Sequence, residues 1–296
     1  MENLNVICFG EVLFDLFPSG AKPGGSPLNI ATHLRNFDVT SGVISRVGAD
    51  AYGKELLDFL KSRKVNTDLI QIDKEKETGV VRVNVDQNDD PVYTFVEKVA
   101  WDYISDSFLE SILNPNYIYF GSLICRSIES NASLFKLLAK YNAKKVLDVN
   151  IRPPYYSKSV IDGLLKAANI IKMDEEEFKI IKNWFYIKNP RVQGDFKAMK
   201  ALYPNIETMI ITRRGKGAIV WNDGKVEKAK PISVDVKDTV GCGDAFLAAY
   251  IGQRNKGANV KDALKYASAT GAFVSTQIGA NPEYTEKDII PLIPKD

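Results

Sequence analysis

Cysteine and histidine are scarce in this chain of 296 residues, which contains three cysteines and one histidine. Cys8, Cys125 and Cys242 are odd in number and far apart, which argues against a disulfide framework. No two of them have metal-ligand spacing, and His33 alone cannot complete a zinc site with them. The sequence therefore excludes the disulfide-rich and the zinc-binding classes of protein.

Long apolar runs and an excess of one charge are also missing. No run approaches the length of a membrane-spanning helix, and no signal peptide is visible at the N-terminus. The formal net charge is +2, and no cluster of Lys and Arg stands out for nucleic-acid binding. We therefore expect a soluble cytoplasmic protein that binds neither a membrane nor a nucleic acid.

Short apolar runs alternate with amphipathic stretches along most of the chain. Runs such as NVICFG, GVISRVG and KKVLDVN are typical of buried strands, and helical stretches follow them. Such crossover units predict a mostly parallel sheet covered by helices, with ligands at the carboxyl ends of the strands. Ser26 is the expected N-cap of the first helix, with Pro27 at its first position. Residues 222–224 predict the turn of a hairpin.

Two segments break this alternation of strands and helices. Residues 78–98 alternate with period two on both sides of the turn DQNDDP, and residues 11–18 also alternate. Both segments predict a small β layer outside the main sheet, which would act as a lid. An edge extension of the main sheet is the alternative. Because there are no repeats or linkers, we interpret residues 1–296 as one domain with a β insertion.

The stretch DTVGCGDAF, residues 238–246, places two glycines and a carboxylate before a helical segment. A helix N-terminus has unpaired N–H groups and a positive dipole end, so it binds anions, and glycine allows close approach. The Asp244 carboxylate would repel an anion and needs a separate explanation. It is either a base that takes a proton from a nucleophile attacking a phosphate, or an ordinary acid of a helix start.

Two common nucleotide-binding motifs are absent: there is no G-x-x-x-x-G-K-[ST], and GADAYG lacks the spacing of a dinucleotide fingerprint. Instead, DTVGCGDAF resembles the D-T-x-G-A-G-D signature of the PfkB-type, ribokinase-like sugar kinases. KPGGSPLN, GEVLFD, VGADAYG, LDVNIR, KMDEEE and the C-terminal GA resemble further motifs of that family, in the same order. The resemblance implies a ribokinase-like α/β fold, with a mostly parallel sheet, flanking helices and a β-sheet lid, and an ATP-dependent sugar kinase.

The resemblance also implies roles for individual residues. The backbone of Gly241, Cys242 and Gly243 would form an anion hole for the transferring phosphoryl group, and Asp244 would be the general base. The residues that would hold the sugar are Asp15, Gly24, Gly25, Asn29 and Arg152. The residues on the nucleotide side would be Asn150, Lys172, Thr212, Gly217, Asp238 and Gly279. Glu177 would organise Mg²⁺ through water, and a K⁺ site beside Asp238 is left open.

Three positions depart from the family pattern. Cys242 replaces an alanine, which a backbone donor tolerates, and its place at a helix N-terminus predicts a lowered thiol pKa. Asp174 stands where Asn or Ser is usual, and an acidic first helical turn is an equally good explanation for it. Arg214 stands at the first glycine of T-x-G-x-x-G, where it reaches either a phosphate or solvent.

The segment GGSPLN resembles fructokinases more than ribokinases, so D-fructose is the expected sugar. Lys22, Arg82 and Lys98 lie in or near the lid and would suit an anionic sugar, which keeps a 2-keto-3-deoxygluconate kinase as an alternative. A ribokinase-type kinase and a non-catalytic sugar- or nucleotide-binding protein also stay open, although a binding protein has no need of Asp244. The lid is also the expected surface for a homodimer.

Overall fold

The structure is a computed structural model that describes residues 3–85 and 91–294. The described strands form two sheets, and the larger has the order β13-β12-β11-β10-β9-β8-β1-β4-β5. Its strands are β1 (Val6–Phe9), β4 (Ser41–Gly48), β5 (Ile70–Asp73), β8 (Tyr117–Gly121), β9 (Lys144–Asp148), β10 (Ile170–Asp174), β11 (Thr208–Thr212), β12 (Ala218–Asn222) and β13 (Lys225–Ala229). All neighbours from β5 to β11 pair in parallel, which confirms the predicted mostly parallel sheet.

The antiparallel edge of the large sheet is the hairpin of β12 and β13. Its turn residues Asp223 and Gly224 both have positive φ values, 45° and 87°. Two successive positive φ values match the right-handed twist of a tight hairpin, and this explains the Asp-Gly pair. The hairpin predicted at residues 222–224 is confirmed.

Helices cover both faces of the large sheet. They are α1 (Ser26–Arg35), α2 (Ala51–Ser62), α3 (Ile128–Lys140), α4 (Lys158–Ala167), α5 (Glu175–Trp184), α6 (Val192–Leu202), α7 (Cys242–Asn255), α8 (Val260–Ser275) and α9 (Glu286–Ile289). Alternate residues of β1 enter two different apolar clusters: Val6 and Cys8 pack with α1, α7 and α8, and Ile7 and Phe9 pack with α3, α4 and α5. A strand buried on both faces explains the unbroken apolar run VICF. None of the described helices has the length and apolar character needed to cross a membrane.

The small sheet has the order β3-β2-β6-β7, with strands β2 (Leu13–Phe17), β3 (Gly20–Gly24), β6 (Gly79–Val85) and β7 (Pro91–Phe95). It is a sheet of its own and not an extension of the large one. β2 pairs in parallel with β6, and the other two pairings are antiparallel. β3 lies outside the predicted segments because GAKPG has no apolar alternation. Residues 86–90, most of the predicted turn, lie outside the described residues.

A buried cluster around Arg126 joins the small sheet to the rest of the chain. The Arg126 guanidinium donates to both carboxylate oxygens of Asp102, at 2.7 and 2.8 Å, and to the carbonyl oxygen of Val96, which follows β7, at 2.7 Å. It also lies 3.8 Å from the ring centroid of Trp101. Gly79, the first residue of β6, leaves room for that indole, because a Cβ atom there would lie 2.3 Å from Trp101 Nε1.

Candidate active site

Polar side chains gather where the parallel strands end. Asp148, Asp174 and Thr212 are the last residues of β9, β10 and β11. The carboxyl ends of parallel strands meet at one edge of a sheet, so these residues share that edge. The first turn of α7 lies at the same place, since a Cβ atom on Gly243 would be 3.3 Å from Lys172 Nζ. We call this region the site floor.

Asp244, in the first turn of α7, is held by two side chains of α1. Its Oδ1 accepts a hydrogen bond from Ser26 Oγ at 2.6 Å, and its Oδ2 accepts one from Asn29 Nδ2 at 2.7 Å. Asn29 Oδ1 in turn accepts from Asn281 Nδ2 at 2.7 Å. Asp244 does not cap α7, because the N-cap is Gly241. The structure thus joins the candidate base to Asn29, a predicted sugar ligand.

The contact made by Ser26 was not predicted, and its assignment as an N-cap is wrong. The N-cap of α1 is Gly25, with φ of 99°, and Ser26 is the first helical residue. Only glycine fits as the cap, because a Cβ atom there would lie 2.3 Å from the carbonyl oxygen of Glu11. The Ser26 hydroxyl also lies 2.5 Å from the hydroxyl of Tyr119. Tyr119 is fully buried in β8, and an apolar strand pattern does not single it out.

Burial raises the pKa of four carboxyl groups at or near the floor, those of Glu177, Asp244, Glu11 and Asp15. For Asp244, burial is the largest cause, and its two hydrogen bonds from α1 act in the opposite direction. Burial raises the pKa of Glu11 to about 7 and that of Asp15 to about 6, although the positive charge of Arg152 lowers both. Glu11 is only 4% exposed, and its Oε2 has no hydrogen-bond partner among the described residues. Glu11 was not among the predicted site residues, although it lies in the motif GEVLFD.

The predicted sugar ligands on the small sheet lie close together. Asp15, in β2, sits over Gly24, where a Cβ atom would lie 2.3 Å from Asp15 Oδ2. Within residues 3–85 and 91–294, the Asp15 carboxylate has no hydrogen bond or ion pair. Arg152 lies within electrostatic reach of Asp15 and of Glu11. Asp15 is therefore a free acceptor beside a cation, as a polyol site requires.

The backbone at the start of α7 offers free donors. Gly241 has φ of 77°, and a Cβ atom there would lie 2.7 Å from the Cα atom of Ala280, so glycine is required. The N–H of Cys242 makes a long hydrogen bond of 3.4 Å to the carbonyl oxygen of Thr239. No described residue provides an acceptor for the N–H of Gly243. These groups are available to an anion, as the resemblance implies.

The predicted lowering of the Cys242 thiol pKa is wrong. Burial, followed by the negative charges of Asp238 and Asp244, raises the pKa of Cys242 to about 11. A thiolate at this position would lose hydration and face two carboxylates, and this outweighs the favourable helix N-terminus.

Lys172 supplies a positive charge beside the start of α7. Its Nζ lies 2.8 Å from Oδ2 and 3.1 Å from Oδ1 of Asp148, and both side chains are buried. Burial by itself lowers the pKa of Lys172, but the charges of Asp148 and Glu177 outweigh it, and the net effect raises the pKa. Lys172 therefore stays charged next to Gly243.

Asp174 and Glu177 form a capping box at the start of α5. Asp174 Oδ1 accepts from the N–H groups of Glu176 and Glu177, and Glu177 Oε2 accepts from the N–H of Asp174 at 2.8 Å. Glu177 Oε1 accepts from the N–H of Ile151 at 2.7 Å, so it also holds the loop after β9. An N-cap function explains why Asp is tolerated where the family has Asn or Ser.

The described residues contain no group of three or more His, Cys, Asp and Glu side chains that could hold a metal ion. A Mg²⁺ ion that arrives with ATP does not need such a group, because phosphates and water supply most of its ligands. Glu177 fits an outer role, since each of its oxygens keeps a lone pair after accepting one amide hydrogen bond.

The remaining predicted nucleotide-side residues lie in loops. Asp238 accepts from the N–H of Val240 at 3.0 Å and from the N–H of Gly279 at 2.9 Å, so it ties two loops together. Gly217 has φ of 81°, and a Cβ atom there would lie 2.1 Å from the carbonyl oxygen of Ala229, which explains this glycine structurally.

Two non-glycine residues near the strand ends adopt the left-handed region. Asn150 has φ of 41°, and Arg214 has φ of 35°. Glycine occupies such backbone conformations most easily, which explains why the family usually has glycine at position 214. Arg214 is exposed. Thr212 pairs with Asp174 at the floor edge, whereas Gly217 packs against Ala229 and Lys230.

The overall fold matches solved sugar kinases. A fructokinase from Vibrio cholerae O395, solved with fructose, ADP and calcium ion, is similar with a TM-score of 0.86 and 21% identity, covering 99% of this chain and 100% of that chain. An uncharacterized sugar kinase from Pyrococcus horikoshii, in complex with ATP, has a TM-score of 0.82 and 25% identity, covering 97% of both chains. These similarities confirm the ribokinase-like fold.

Curated sequences give the same family. The chain is 25% identical over 321 residues to "Probable fructokinase-6, chloroplastic" from Arabidopsis thaliana, covering 98% of this chain and 82% of the relative. It is 24% identical to the fructokinase of Salmonella typhimurium, covering 94% and 95%. The model of the pfkB family carbohydrate kinases matches residues 8–287. The protein therefore belongs to the pfkB family and is a carbohydrate kinase.

Proposed function

We propose that the protein is a fructokinase, which transfers the γ-phosphoryl group of ATP to a hydroxyl of D-fructose. The observation that carries this proposal is the placement of Asp244, held by Ser26 and Asn29 beside the N–H groups at the start of α7 and the charged Lys172. A base next to a cluster of anion-stabilising donors is what phosphoryl transfer to an alcohol needs.

In the proposed reaction, Asp244 accepts the proton of the sugar hydroxyl while that oxygen attacks the γ-phosphorus and the bond to ADP breaks. The backbone of Gly241, Cys242 and Gly243 stabilises the charge on the transferring group, and Lys172 adds a positive charge. Burial raises the pKa of Asp244, which makes its carboxylate a stronger base once it is ionised. Mg²⁺ would neutralise phosphate charge when bound with ATP, and Glu177 would hold its water shell.

Charge balance favours a neutral sugar over a sugar acid. Arg152 lies near the two carboxyl groups of Glu11 and Asp15, so part of its charge is already compensated. Arg82 and Lys98, which would suit an anionic substrate, are exposed. Asp15, Gly24, Gly25, Asn29 and Arg152 would bind the fructose hydroxyls. This balance supports fructose over 2-keto-3-deoxygluconate.

An ADP-release assay with ATP, Mg²⁺ and a panel of sugars tests the proposal. We expect D-fructose to have the highest kcat/KM, with ribose and 2-keto-3-deoxygluconate far lower. A panel in which the sugar acid has the highest kcat/KM would refute the assignment in favour of the alternative kinase. No ADP release with any sugar, together with sugar binding by calorimetry, would favour a non-catalytic binding protein.

Two further parts of the proposal concern K⁺ and assembly. A K⁺ ion beside Asp238 predicts that kcat falls when KCl is replaced by choline chloride at the same ionic strength. A homodimer formed through the small sheet predicts a molecular mass of about twice 33.0 kDa by sedimentation equilibrium. An unchanged kcat in choline chloride would refute the K⁺ site. A monomer at the assay concentration would refute the homodimer.

A further inference from the structure

The Ser26 hydroxyl lies between the candidate base and a buried tyrosine. Its Oγ is 2.6 Å from Asp244 Oδ1 and 2.5 Å from the Tyr119 hydroxyl oxygen. Ser26 is 7% exposed, and Tyr119 is fully buried. The three residues come from α1, α7 and β8, so the contact connects two helices to the central sheet.

The direction of the two hydrogen bonds follows from counting protons. An ionised carboxylate only accepts, so Ser26 must use its single proton to donate to Asp244. Its oxygen can then only accept from Tyr119, which is therefore the donor of the second bond. Burial raises the pKa of Tyr119 well above its usual value, so the phenol keeps the proton that it donates.

We propose that Ser26 and Tyr119 are positioning residues that hold the Asp244 carboxylate in its charged, proton-accepting form and orientation. The proposal rests on the role of Asp244 as the general base in the proposed function. Asn29 holds the other oxygen of the carboxylate, and Asn281 holds Asn29. Both oxygens of the base are thus fixed before any substrate arrives.

We call the two hydrogen bonds, from Tyr119 to Ser26 and from Ser26 to Asp244, the clamp. The clamp fixes the carboxylate but does not provide a path for proton transfer. Within residues 3–85 and 91–294, the Tyr119 hydroxyl has no hydrogen-bond partner other than Ser26. A proton that Asp244 takes from a sugar has no onward acceptor along Ser26 and Tyr119. It must leave on the side of Asp244 that faces the substrate.

Several other charged or titratable groups also act on Asp244. Removal of the Ser26 or the Tyr119 hydroxyl changes only the hydrogen bonds to Asp244 and leaves the charged and titratable groups around it in place. They are Asp148 on β9, Lys172 on β10, Cys8 on β1, Glu11 after β1, Asp15 on β2 and Cys242 on α7. Since a donor to a carboxylate stabilises its charged form, its loss moves ionisation to higher pH.

The test uses Ser26→Ala and Tyr119→Phe, each of which removes a single oxygen. Hydrogen bonds to charged groups contribute enough that we expect Ser26→Ala to lower kcat by roughly tenfold to a hundredfold at neutral pH. The acidic limb of the pH profile of kcat should move upward by about one unit. Tyr119→Phe should give a smaller change in the same direction, with the KM for ATP unaltered. Ser26→Thr keeps the hydroxyl, so its pH profile of kcat should have the acidic limb at the wild-type position.

Matched controls are Ser45→Ala and Tyr203→Phe. Ser45 is a buried serine whose hydroxyl has no partner among the described residues, and Tyr203 is a buried tyrosine that donates to Asp162. Both controls should leave the acidic limb of kcat unchanged. If Ser26→Ala fails to fold, Tyr119→Phe tests the proposal alone, because it keeps the ring.

The outcomes separate this inference from the proposed function. If Ser26→Ala and Tyr119→Phe keep the wild-type kcat and acidic limb while Asp244→Asn is inactive, the clamp is refuted and the base stands. If Asp244→Asn keeps near-normal turnover, the general-base assignment fails, and the clamp fails with it. If KM values rise while kcat and its acidic limb stay unchanged, the two residues contribute to substrate binding and not to the base, and the positioning role is wrong.

Discussion

Asp244 on the site floor and Asp15 on the small sheet are both half-buried acids with raised pKa values, yet their surroundings differ. Both oxygens of Asp244 accept hydrogen bonds from α1, whereas the Asp15 carboxylate has no partner among the described residues. The strands that end at the floor contribute to two large apolar clusters, whereas one face of the small sheet has a separate small cluster of Leu13, Val81 and Val83, with Phe17 and Phe95 against it. The floor is therefore organised in advance, and the small sheet leaves its acceptor open for a ligand.

The largest effect on activity is expected from substitution of the candidate base, Asp244. We expect Asp244→Asn to lower kcat by roughly 10²–10⁴-fold, because the amide cannot accept the sugar proton, with ATP affinity little changed. Steady-state kinetics and ATP titration measure both quantities. Asp58→Asn, an exposed position on α2, is the control. Near-normal turnover in a folded Asp244→Asn protein would contradict the assignment.

The next largest effect is expected at the buried cluster around Arg126, which joins the small sheet to the rest of the chain. Arg126→Met leaves the buried Asp102 without its cation, and loss of one partner of such a pair costs about 3–5 kcal/mol in the free energy of unfolding. Urea denaturation measures this loss. The control, Lys136→Met, opens an exposed ion pair with Asp106 and should cost much less, because water screens exposed charges. Equal losses in the two variants would show that the junction is not held by this ion pair.

Glu11, buried below the small sheet, should make stability depend on pH. Its pKa is raised to about 7 in the folded chain, from 4.5, so the folded state binds the proton more tightly. The stability of the wild type therefore falls as pH rises through this window, by up to about 3 kcal/mol from Glu11 alone. Glu11→Gln should remove that part of the fall between pH 4.5 and 8. Urea unfolding at several pH values measures it.

The matched control for Glu11 is Glu55→Gln, at an exposed position of α2. It should show the wild-type slope of stability against pH. If Glu11→Gln also keeps that slope, then burial does not hold the Glu11 proton.

Hydrogen exchange sharpens the contrast between floor and small sheet. A thin core predicts that amides of β6 and β7 exchange faster than those of β9 in the free protein. If the small sheet is a lid that closes over the sugar and excludes water, saturating fructose should slow exchange in β6 and β7. Unchanged exchange there at saturating sugar would count against a mobile lid.

The smallest effect is expected at Cys242, where only the backbone is assigned a role. Cys242→Ala should keep near-full kcat. Because the thiol pKa is raised to about 11, iodoacetamide at pH 7.5 should modify Cys242 more slowly than a free cysteine. Mass spectrometry of timed samples measures the modification. Loss of activity in folded Cys242→Ala would show that the side chain matters.

Periodicity predicted the large sheet well and the small sheet only in part. The alternation of apolar runs and amphipathic stretches is a local pattern, so most of the parallel sheet and its helices followed from it, although β5 was not predicted. β3 was missed because GAKPG is short and polar, and it is a strand only through its pairing with β2. α6 was also missed, although Phe196 and Met199 have helical spacing and are buried.

The sequence by itself determined the family, the parallel sheet and the candidate base, because motifs and periods lie within short stretches of chain. Tertiary structure alone decided which groups meet Asp244, since Ser26 and Asn29 are 218 and 215 residues away from it along the chain. It also reversed the expected pKa shift of Cys242, because burial and two nearby carboxylates arise only when distant segments pack together. Hydration and charge at a site depend on all neighbours in space, and a linear pattern does not contain them.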